Sequence, residues 1–489
     1  MGDSVTPEGY NTSVPAKILT PDRVDTRLGT LEFTDGFPTQ TTAQLLFDHL
    51  DFLRAVEAFL SCVPAASLEA MRMGMEEVGV TACHQVGIMD RLLDSTSLFL
   101  TGNTDTVYVS GILDLERDGP TVVEVPPGCG PTTVNDAWFR FITDMGRPGP
   151  DRGAGGKYLI LPTGYDGPVP DGYFVSRSTS RMNWLIMRGL LVDGKPEAPT
   201  RNFRDGLRVY PLSQADAPPT MEFISLSERE FNTIHANDVT FFQELNAVVQ
   251  REPLDVIEPE TRGLLASIGI TKGTEFAPDD RMQGLLTEAA AVANGTARAI
   301  AFKTRDPEAY LYPNSRWKTG FVGNDYRWLR ADGVGGRNLD ARTLFFYVAT
   351  VNTPAMALRI PGVGSQYAFT EHDSHGEFLD GAKQYRLTLP PDVPAKDFWS
   401  VVVYDPQTRS ELQTGQPYPS RNSTRDAMTT NPDGSITLTF GPTAPEDDAG
   451  NWIQTTAGKN WFTLFRLYGP LEPWFEKTWV PGDIELAQR

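Results

Sequence analysis

The hydrophobic period changes along the chain, and this change constrains the fold more than any other feature of the sequence. Residues 41–79 carry apolar side chains at helical spacing, which predicts two helices. From 97 to 212 the pattern consists of short β-prone runs separated by Gly, Pro, Asn and Asp, as in a sandwich or a barrel. Helical spacing returns at 237. After Arg342 the pattern is β-prone again, beginning with the segment 343–351.

The helical segments have predicted ends and buried faces. We expect the first helix to begin at Thr41 or Thr42, and the longest helix to lie between Pro278 and Pro307. Helical spacing predicts that ten side chains of these two helices are buried: Leu46, Leu50, Leu53, Val56 and Leu60 in the first, and Leu285, Ala289, Val292, Thr296 and Ile300 in the longest.

Charge and cysteine content restrict the partners. The 489 residues carry a formal net charge of −20, so the surface repels phosphate backbones and we expect no nucleic-acid partner. The apolar fraction of 40 % is ample for large cores. Three cysteines without a CxxC pair support neither a disulfide framework nor a zinc ribbon. The expected partner is a small-molecule substrate, and a homo-oligomer is left open.

The N-terminal sequence bears on localisation. MGDSVTPEGYNTSVPAK has neither the basic start nor the apolar stretch of a signal peptide. No apolar run reaches the roughly 18 residues that a membrane span requires. We therefore expect a soluble cytoplasmic protein with no membrane span. The alternative is an exported protein whose leader is not part of this sequence.

Standard catalytic motifs are missing from the sequence. It has no GxSxG, HExxH, Walker or GxGxxG motif, and the SxxK spacing of Ser315 and Lys318 lacks its partner motifs. No covalent nucleophile is therefore indicated, and the candidates for chemistry are polar residues on the predicted strands.

The stretch TEHDSHGEFLDG, residues 370–381, contains two of the five histidines. On a strand, Glu371 and His375 would share one face and, with His372 next to them, offer ligands to a metal ion. The segment DSHG is also a good turn, since Gly376 tolerates positive φ. We predict a solvated turn and no cofactor, and a metal ion held by these three residues is the alternative.

Two polar stretches lie on predicted strands of the first β segment. Three polar residues begin the strand in TGNTDTVYVSGILDL: Asn103, Asp105 and Tyr108. Alternation places four side chains of NDAWFRFITDMG on one strand face: Trp138, Arg140, Ile142 and Asp144. Charged groups inside a sandwich are costly unless they are paired, so these residues form either a structural network or a ligand site.

These stretches also carry a family resemblance. NTDTVYVSGILDLERDGPTVVEVPP, WFRFITDMG, GKYLILPTGY and RVYPL resemble the domain of unknown function DUF1254. LDGAKQYRLTLPPDVPAKDFWSVVVYD, NPDGSITLTFGP, NWIQT and FTLFRLYGPLEPWFEKTWVPGDIE resemble DUF1214. The resemblance spans nearly the whole chain. It implies two jelly-roll-like sandwiches, with helical segments before and between them, and it brings no settled activity. It also implies a turn at 373–381, where His375 replaces a carboxylate that members usually carry.

The resemblance carries motif positions in both domains. In the first they are Asn103, Asp105, Thr106, Tyr108, Arg140 and Asp144; in the second they are Asp380, Gly381, Tyr385, Trp399, Tyr404, Asn451, Trp452, Arg466 and Tyr468. Pattern and resemblance together predict a mainly β protein of the α+β class. It would consist of a helical N-terminal lead (1–100), a first β-sandwich domain (101–215), a helical connecting region (216–341) and a second β-sandwich domain (342–489).

Two functions fit these features. The favoured one is a hydrolase that acts on a small, largely apolar molecule through an activated water in a pocket of the first β domain. Asp105 or Asp144 would be the general base, and Arg140 and Tyr108 would polarise an oxygen. Four further residues would bind the substrate: Asn103, Trp138, Phe139 and Trp184. The alternative is a non-catalytic sandwich that binds a carbohydrate or a lipid.

Overall fold

The chain folds into two β-sandwiches that enclose a group of helices. The computed structural model describes residues 4–5, 8–446 and 449–487. Helices and strands contribute in similar measure, so the predicted α+β class is confirmed. No helix in the described part of the chain is long and apolar enough to cross a membrane.

The N-terminal part contains short strands and the longest helix. The elements are β1 (Ser4–Val5), β2 (Val14–Pro15), β3 (Arg23–Thr26), β4 (Gly29–Thr34), β5 (Phe37–Pro38) and α1 (Gln40–Glu77).

The first sandwich follows. Its elements are β6 (Gln85–Ile88), β7 (Thr106–Asp114), β8 (Thr121–Val125), β9 (Thr132–Asp136), β10 (Phe141–Met145), β11 (Gly156–Leu161), β12 (Phe174–Arg177), β13 (Met182–Leu190), α2 (Glu197–Gly206), β14 (Arg208–Pro211) and β15 (Glu222–Ser225).

Helices then lead to the second sandwich. The helices are α3 (Thr240–Arg251), α4 (Pro259–Ser267), α5 (Asp280–Phe302), α6 (Leu339–Val348) and α7 (Pro354–Ala357). The remaining elements are β16 (Ser365–Thr370), β17 (Tyr385–Leu389), β18 (Ala395–Tyr404), β19 (Ser420–Asn422), β20 (Ile436–Gly441), β21 (Trp452–Gln454), β22 (Phe462–Pro470), α8 (Glu472–Phe475) and β23 (Glu485–Leu486).

Each sandwich packs two sheets face to face. In the first, a six-stranded sheet of order β10-β9-β13-β7-β6-β15 packs on a four-stranded sheet of order β12-β11-β8-β14. Val109 and Met187 from one sheet share a core with Val123 and Ile160 from the other. In the second, sheets of order β16-β22-β18-β19 and β21-β20-β17-β23 pack in the same way. The jelly-roll connectivity stays a prediction.

Helix α1 is one helix where the sequence predicted two. It begins after Thr39, whose hydroxyl accepts a hydrogen bond from the Thr42 amide at 3.3 Å, so the predicted start is nearly right. The predicted buried face is wrong, because Leu50 is 38 % and Leu53 is 44 % exposed. The buried side chains, most of them small, lie further along and include Ala55, Ala58, Phe59 and Cys62. They allow α3, α5 and α6 to pack closely on this helix.

Two further predictions about the helical segments, for α5 and for α6, are also wrong. In α5 the buried face is a row of alanines shifted from the prediction, and Val292 is exposed. The segment 343–351 was predicted as a strand, but most of it belongs to α6, which begins after Asn338. The Asn338 side chain accepts a hydrogen bond from the Ala341 amide at 3.1 Å. A short run of apolar residues cannot distinguish a strand from a buried helix, and here the cap decides.

The helices lie between the outer faces of two sheets. Tyr108 and Trp184, on the outer face of the six-stranded sheet, share a core with α1, α3 and α6. Val402 and Leu464, on the β16-β22-β18-β19 sheet, share another core with α5 and α6. The two sandwiches also contact each other directly, through the segment that precedes β7. This arrangement leaves a space between the sheets in which the candidate site lies.

Candidate functional site

A mainly apolar cavity lies between the two sandwiches, and we call it the central cavity. Its volume of about 60 Å³ is sufficient for several water molecules or a small ligand. Apolar side chains form most of its wall, among them Phe99, Ile186, Phe345, Val351, Met356 and Leu464. Four polar side chains that carry ionisable groups also line it: Tyr108, Arg188, Tyr367 and Arg466. Thr101 and Thr350 complete the polar part of the wall.

The four polar side chains form two pairs, one from each sandwich. Tyr108 on β7 lies opposite Arg188 on β13 in the antiparallel register, and the guanidinium lies 5.7 Å from the ring centroid. Tyr367 on β16 lies opposite Arg466 on β22, with a distance of 5.4 Å. Cross-strand partners project from the same sheet face, so each sheet presents one arginine beside one tyrosine to the cavity.

Arg466 is hydrogen bonded through one of its three nitrogens. Its Nη2 donates to the carbonyl of Thr101 at 2.6 Å, to the carbonyl of Gly102 at 3.2 Å and to the hydroxyl of Tyr404 at 2.6 Å. Its Nε is buried without an acceptor. The bonds from Nη2 tie β22 to the segment that precedes β7, so Arg466 joins the two sandwiches.

Arg188 has no such partners. It is 6 % exposed, and its Nε is buried without a hydrogen-bond acceptor. Within residues 8–446 and 449–487 its side chain makes no hydrogen bond and no ion pair. A guanidinium remains charged in proteins, and a buried charge without a partner is costly. Arg188 is thus a cation that faces an apolar cavity with its donors free.

Asp144 is the acidic group close to Arg188. It lies in a smaller cavity of about 10 Å³, whose wall includes Arg188, Thr133 and Thr353. The Thr353 hydroxyl lies 2.7 Å from both carboxylate oxygens. Burial raises the pKa of Asp144 to about 6, against the hydrogen bonds from Thr353 and Thr133 and the charge of Arg188. At neutral pH this carboxylate is a weak base in a cavity that shares Arg188 with the central cavity.

Asn103 positions Tyr108. Its amide oxygen accepts a hydrogen bond from the Asp105 amide at 3.0 Å, which fixes the orientation of the amide group. The amide nitrogen then donates to the hydroxyls of Tyr108 at 2.6 Å and Tyr468 at 2.8 Å. The Tyr108 hydroxyl therefore accepts from Asn103, and its own hydrogen has no acceptor in the described part of the protein. That hydrogen is free to bind a ligand oxygen.

Asp105 lies outside the cavity wall, at the contact of the two sandwiches. It is fully buried and accepts hydrogen bonds from the Ser400 hydroxyl and, at 3.1 Å, from the Asn422 amide. Both partners belong to the second sandwich. This carboxylate is fully hydrogen bonded, which favours a structural role over the predicted role as a general base.

The expectation that Arg140 shares an interior strand face with Asp144 is wrong. Strand β10 begins only at Phe141, because Phe139 adopts a positive φ of 52° in the preceding turn. Arg140 is largely exposed and forms an ion pair with Asp136 at 2.5 Å. The strand alternation therefore does not extend back to Arg140.

The aromatic residues that were predicted to line one pocket lie in different parts of the structure. Trp138, Phe139 and Arg140 line a separate cleft, on the other side of α6. Trp184 is fully buried in the helical core, where its indole N–H donates to the Ser110 hydroxyl at 2.8 Å. The structure therefore does not bring the eight predicted residues into one pocket. It brings Tyr108 and Asp144 close to Arg188, which the sequence analysis did not select.

The histidine stretch 370–381 forms the predicted turn. The Asp373 amide donates to the Glu377 carbonyl at 2.9 Å, and Gly376 has a φ of 87°. Glu371 accepts a hydrogen bond from the buried Lys318 at 2.6 Å and lies 2.8 Å from Nδ1 of His372. His375 is exposed and lies apart from this group. Among the described residues, no three His, Cys, Asp or Glu side chains are placed to hold a metal ion.

Strained backbone accompanies the central cavity. Thr101 has a φ of 39° and Val351 a φ of 69°, and both residues line the cavity. Positive φ is rare for β-branched residues and persists only where the surrounding structure enforces it, often at functional sites. No sequence pattern predicts this strain, because threonine and valine rarely adopt a positive φ.

Comparison with protein families agrees with the two-domain division of the motifs. A family described as protein of unknown function (DUF1254) matches residues 83–211, and another, protein of unknown function (DUF1214), matches residues 364–472. The chain thus carries a DUF1254 match followed by a DUF1214 match, in the order that the motifs predicted. The Tyr108–Arg188 pair lies in the DUF1254 region, and the Tyr367–Arg466 pair lies in the DUF1214 region.

One solved structure extends the similarity to most of the fold. The crystal structure of the VPA0106 protein from Vibrio parahaemolyticus is similar over 90 % of this chain and 100 % of that chain, with 18 % identity and a TM-score of 0.54. A crystal structure of an uncharacterised protein from Burkholderia cenocepacia matches over 91 % of this chain and 97 % of its own chain, with 12 % identity and a TM-score of 0.41. No curated protein matches the sequence significantly. The Vibrio structure shows a shared fold and nothing about activity.

Proposed function

We propose that the protein binds a small, mainly apolar carboxylic acid in the central cavity, with Arg188 as the counterion. The observation that carries this proposal is the buried guanidinium of Arg188, which has no hydrogen-bond or ion-pair partner among the described residues and faces an apolar space. Arg and carboxylate geometries match for two parallel hydrogen bonds. A bound carboxylate would neutralise the buried charge.

The rest of the cavity suits the same ligand. The free hydrogen of the Tyr108 hydroxyl is a second donor for a carboxylate oxygen. Apolar side chains, such as Phe99 and Phe345, would contact the apolar part of the ligand. A volume of about 60 Å³ favours a short-chain acid of a few carbons over a ringed acid or a lipid, since an apolar cavity that binds benzene has about 150 Å³. A carbohydrate would need polar partners around its whole surface, and this wall is mainly apolar.

A thermal-shift comparison tests the proposal. We expect propionate to raise the melting temperature of the wild type, whereas 1-propanol, which has the chain but no carboxylate, has little effect. A ligand at 100 times its Kd stabilises a protein by about 2.7 kcal/mol. Arg188→Met removes the counterion and should abolish the propionate shift, while the exposed Arg359→Gln should preserve it. Equal shifts in the wild type and in Arg188→Met would refute the proposal.

Hydrolysis is the second candidate function, and the position of Asp144 beside Arg188 favours it. Asp144 as general base would take a proton from a water that attacks the carbonyl carbon of a small ester. Arg188 and Tyr108 would stabilise the oxyanion, and the departing alkoxide would receive the proton from Asp144. The acid product would then bear the carboxylate that Arg188 is proposed to bind. Compared with the sequence prediction, Arg188 takes the place of Arg140.

Ester hydrolysis at several pH values tests this second candidate. Because Asp144 must be ionised to act as a base, the rate should rise with pH through about 6. Asp144→Asn should lower the rate by at least a hundredfold, the usual size of general-base catalysis. An unchanged rate in Asp144→Asn would leave binding alone as the function.

A further inference from the structure

We propose a second ligand site in the arginine cleft, a groove of about 530 Å³ between the turn before β10, the loop before α6 and helix α4. Its ligand would be an organic anion in which a flat ring lies next to an oxyanion group. This inference is independent of the central cavity, since the two sites share no lining residue.

Four arginines line this cleft in a chain whose net charge is −20: Arg140, Arg327, Arg337 and Arg342. Two of them have acidic partners. Arg140 pairs with Asp136 at 2.5 Å, and Arg327 pairs with Asp325 at 3.3 Å. A cationic groove on an acidic protein attracts anions and repels the cations that the remaining surface attracts.

The other two arginines have no ion pair in the described part of the chain. Arg337 donates from Nη1 to the Arg327 carbonyl at 2.7 Å. Arg342 makes no side-chain hydrogen bond with any described residue, and its Nε is buried without an acceptor. Burial lowers the pKa of both, and the neighbouring arginines lower it further. An anion between them would relieve this repulsion and satisfy the free donors.

Two carboxylates near the cleft leave these donors free. Glu258 lines the groove and is exposed. Glu57 lies close enough to act on the charge of Arg342, but its carboxylate accepts from the Ser61 hydroxyl at 2.5 Å and forms no ion pair with an arginine in the described structure. Both reduce the positive potential, and neither occupies the position of an oxyanion ligand.

Aromatic side chains supply the second half of the proposed recognition. Trp138, Phe141 and Tyr326 are half-buried on the wall of the groove, and the rings of Phe141 and Tyr326 meet edge to face at 5.8 Å. Exposed aromatic faces beside arginines stack on flat rings. Phe139 and Trp328 hold positive φ values of 52° and 54° on the same wall, so strained backbone marks this site as well.

Calorimetric titration with phenyl phosphate at low ionic strength tests the site, on the full chain. We expect the wild type to bind phenyl phosphate at least tenfold more tightly than inorganic phosphate or phenol alone. Inorganic phosphate lacks the ring, and phenol lacks the oxyanion group. Phenyl sulfate and benzoate, titrated in parallel, show which oxyanion the arginines prefer.

The variants separate this site from a general charge effect. Arg337→Gln and Arg342→Gln should each weaken phenyl phosphate binding at least tenfold, and Trp138→Leu should also weaken it. Arg359→Gln removes the same charge from a surface ion pair with Glu472 and should bind as the wild type does.

Other outcomes would overturn the inference. One is that the wild type shows no heat of binding at about 10 mM phenyl phosphate. The other is that the wild type and Arg337→Gln bind phenyl phosphate with equal affinity. Arg337 is exposed, so this variant carries the test even if Arg342→Gln fails to fold. Arg188→Met should bind phenyl phosphate normally, whatever the fate of the proposed function.

Discussion

The two sandwiches present the same pair of residues to one cavity, but the two arginines differ in their hydrogen bonds. Arg466 of the second sandwich donates hydrogen bonds from Nη2 to two carbonyls and a tyrosine hydroxyl. Arg188 of the first sandwich donates none to the described residues, and the Nε of both arginines is buried without an acceptor. Both arginines lie opposite a tyrosine on the neighbouring strand.

The difference indicates a division of roles. Arg466 holds the segment before β7, including the strained Thr101, against the second sandwich. Arg188 makes no hydrogen bond or ion pair with the described residues, and its contact with the Tyr108 ring offsets only part of the cost of burying its charge. Functional sites commonly retain groups that reduce stability, because the same groups bind the ligand. Removing each arginine should therefore have opposite effects on the protein.

The largest expected effect is that of Arg466→Met. The substitution leaves the carbonyls of Thr101 and Gly102 and the hydroxyl of Tyr404 without their donor. Hydrogen bonds to charged groups contribute about 1.5–3 kcal/mol each, so a loss of about 3 kcal/mol or more is expected. Unfolding in urea checks this. A variant as stable as the wild type would show that Arg466 does not join the sandwiches.

Asp144→Asn should have the next largest effect, and it depends on pH. The pKa of Asp144 is raised to about 6 by burial, above its ordinary value of 3.8, so the folded protein binds this proton more tightly than the unfolded chain. The resulting stability is present below about pH 4 and is lost as pH rises through about 6.

The asparagine variant remains neutral at all pH values and avoids this loss. Its stability relative to the wild type should therefore rise by about 2 kcal/mol between pH 4 and pH 7. Melting temperatures of both proteins over this range check the difference. The pH-dependent contributions of the other carboxylates are the same in both proteins and cancel. A constant difference would mean that the pKa of Asp144 is not raised.

Arg188→Met is expected to change stability in the opposite direction to Arg466→Met. It removes an unpaired buried charge and keeps an apolar side chain in the cavity, so the ligand-free protein should be about 1 kcal/mol more stable. Urea unfolding without ligand measures this. A loss as large as that of Arg466→Met would mean that Arg188 has a structural partner and is not a free counterion.

Tyr108→Phe should have the smallest effect. Its hydroxyl accepts one hydrogen bond from Asn103, which also donates to Tyr468, so the expected loss is about 1 kcal/mol. Propionate affinity should fall severalfold, since one ligand donor is missing. Unchanged affinity would place the carboxylate away from Tyr108.

Much of the first β segment could be predicted from the sequence, and the central cavity could not. The polar start of β7 was visible as Asn103, Asp105 and Tyr108, because polar residues interrupt an apolar run. Arg188 gave a similar signal in MNWLIMRGLL, as a single charge in an apolar strand, and was not selected. Asp105 contacts Ser400 and Asn422, which lie far away in the sequence, and no local pattern reports such a contact.

The errors in the site arose from backbone conformation. Strand alternation was extended through Arg140, but the positive φ of Phe139 ends the strand earlier. The apolar run of α6 was taken for a strand, although it supplies Phe345 to the cavity wall. Period-based reasoning places side chains on regular elements, and it fails at residues whose conformation the tertiary structure imposes.

A crystal structure with propionate tests the central claim most directly, because it shows where the carboxylate lies. We predict propionate density in the central cavity, with its carboxylate within hydrogen-bond distance of the Arg188 guanidinium and the Tyr108 hydroxyl. A ligand bound elsewhere, or bound in the cavity with its carboxylate away from Arg188, would contradict the account.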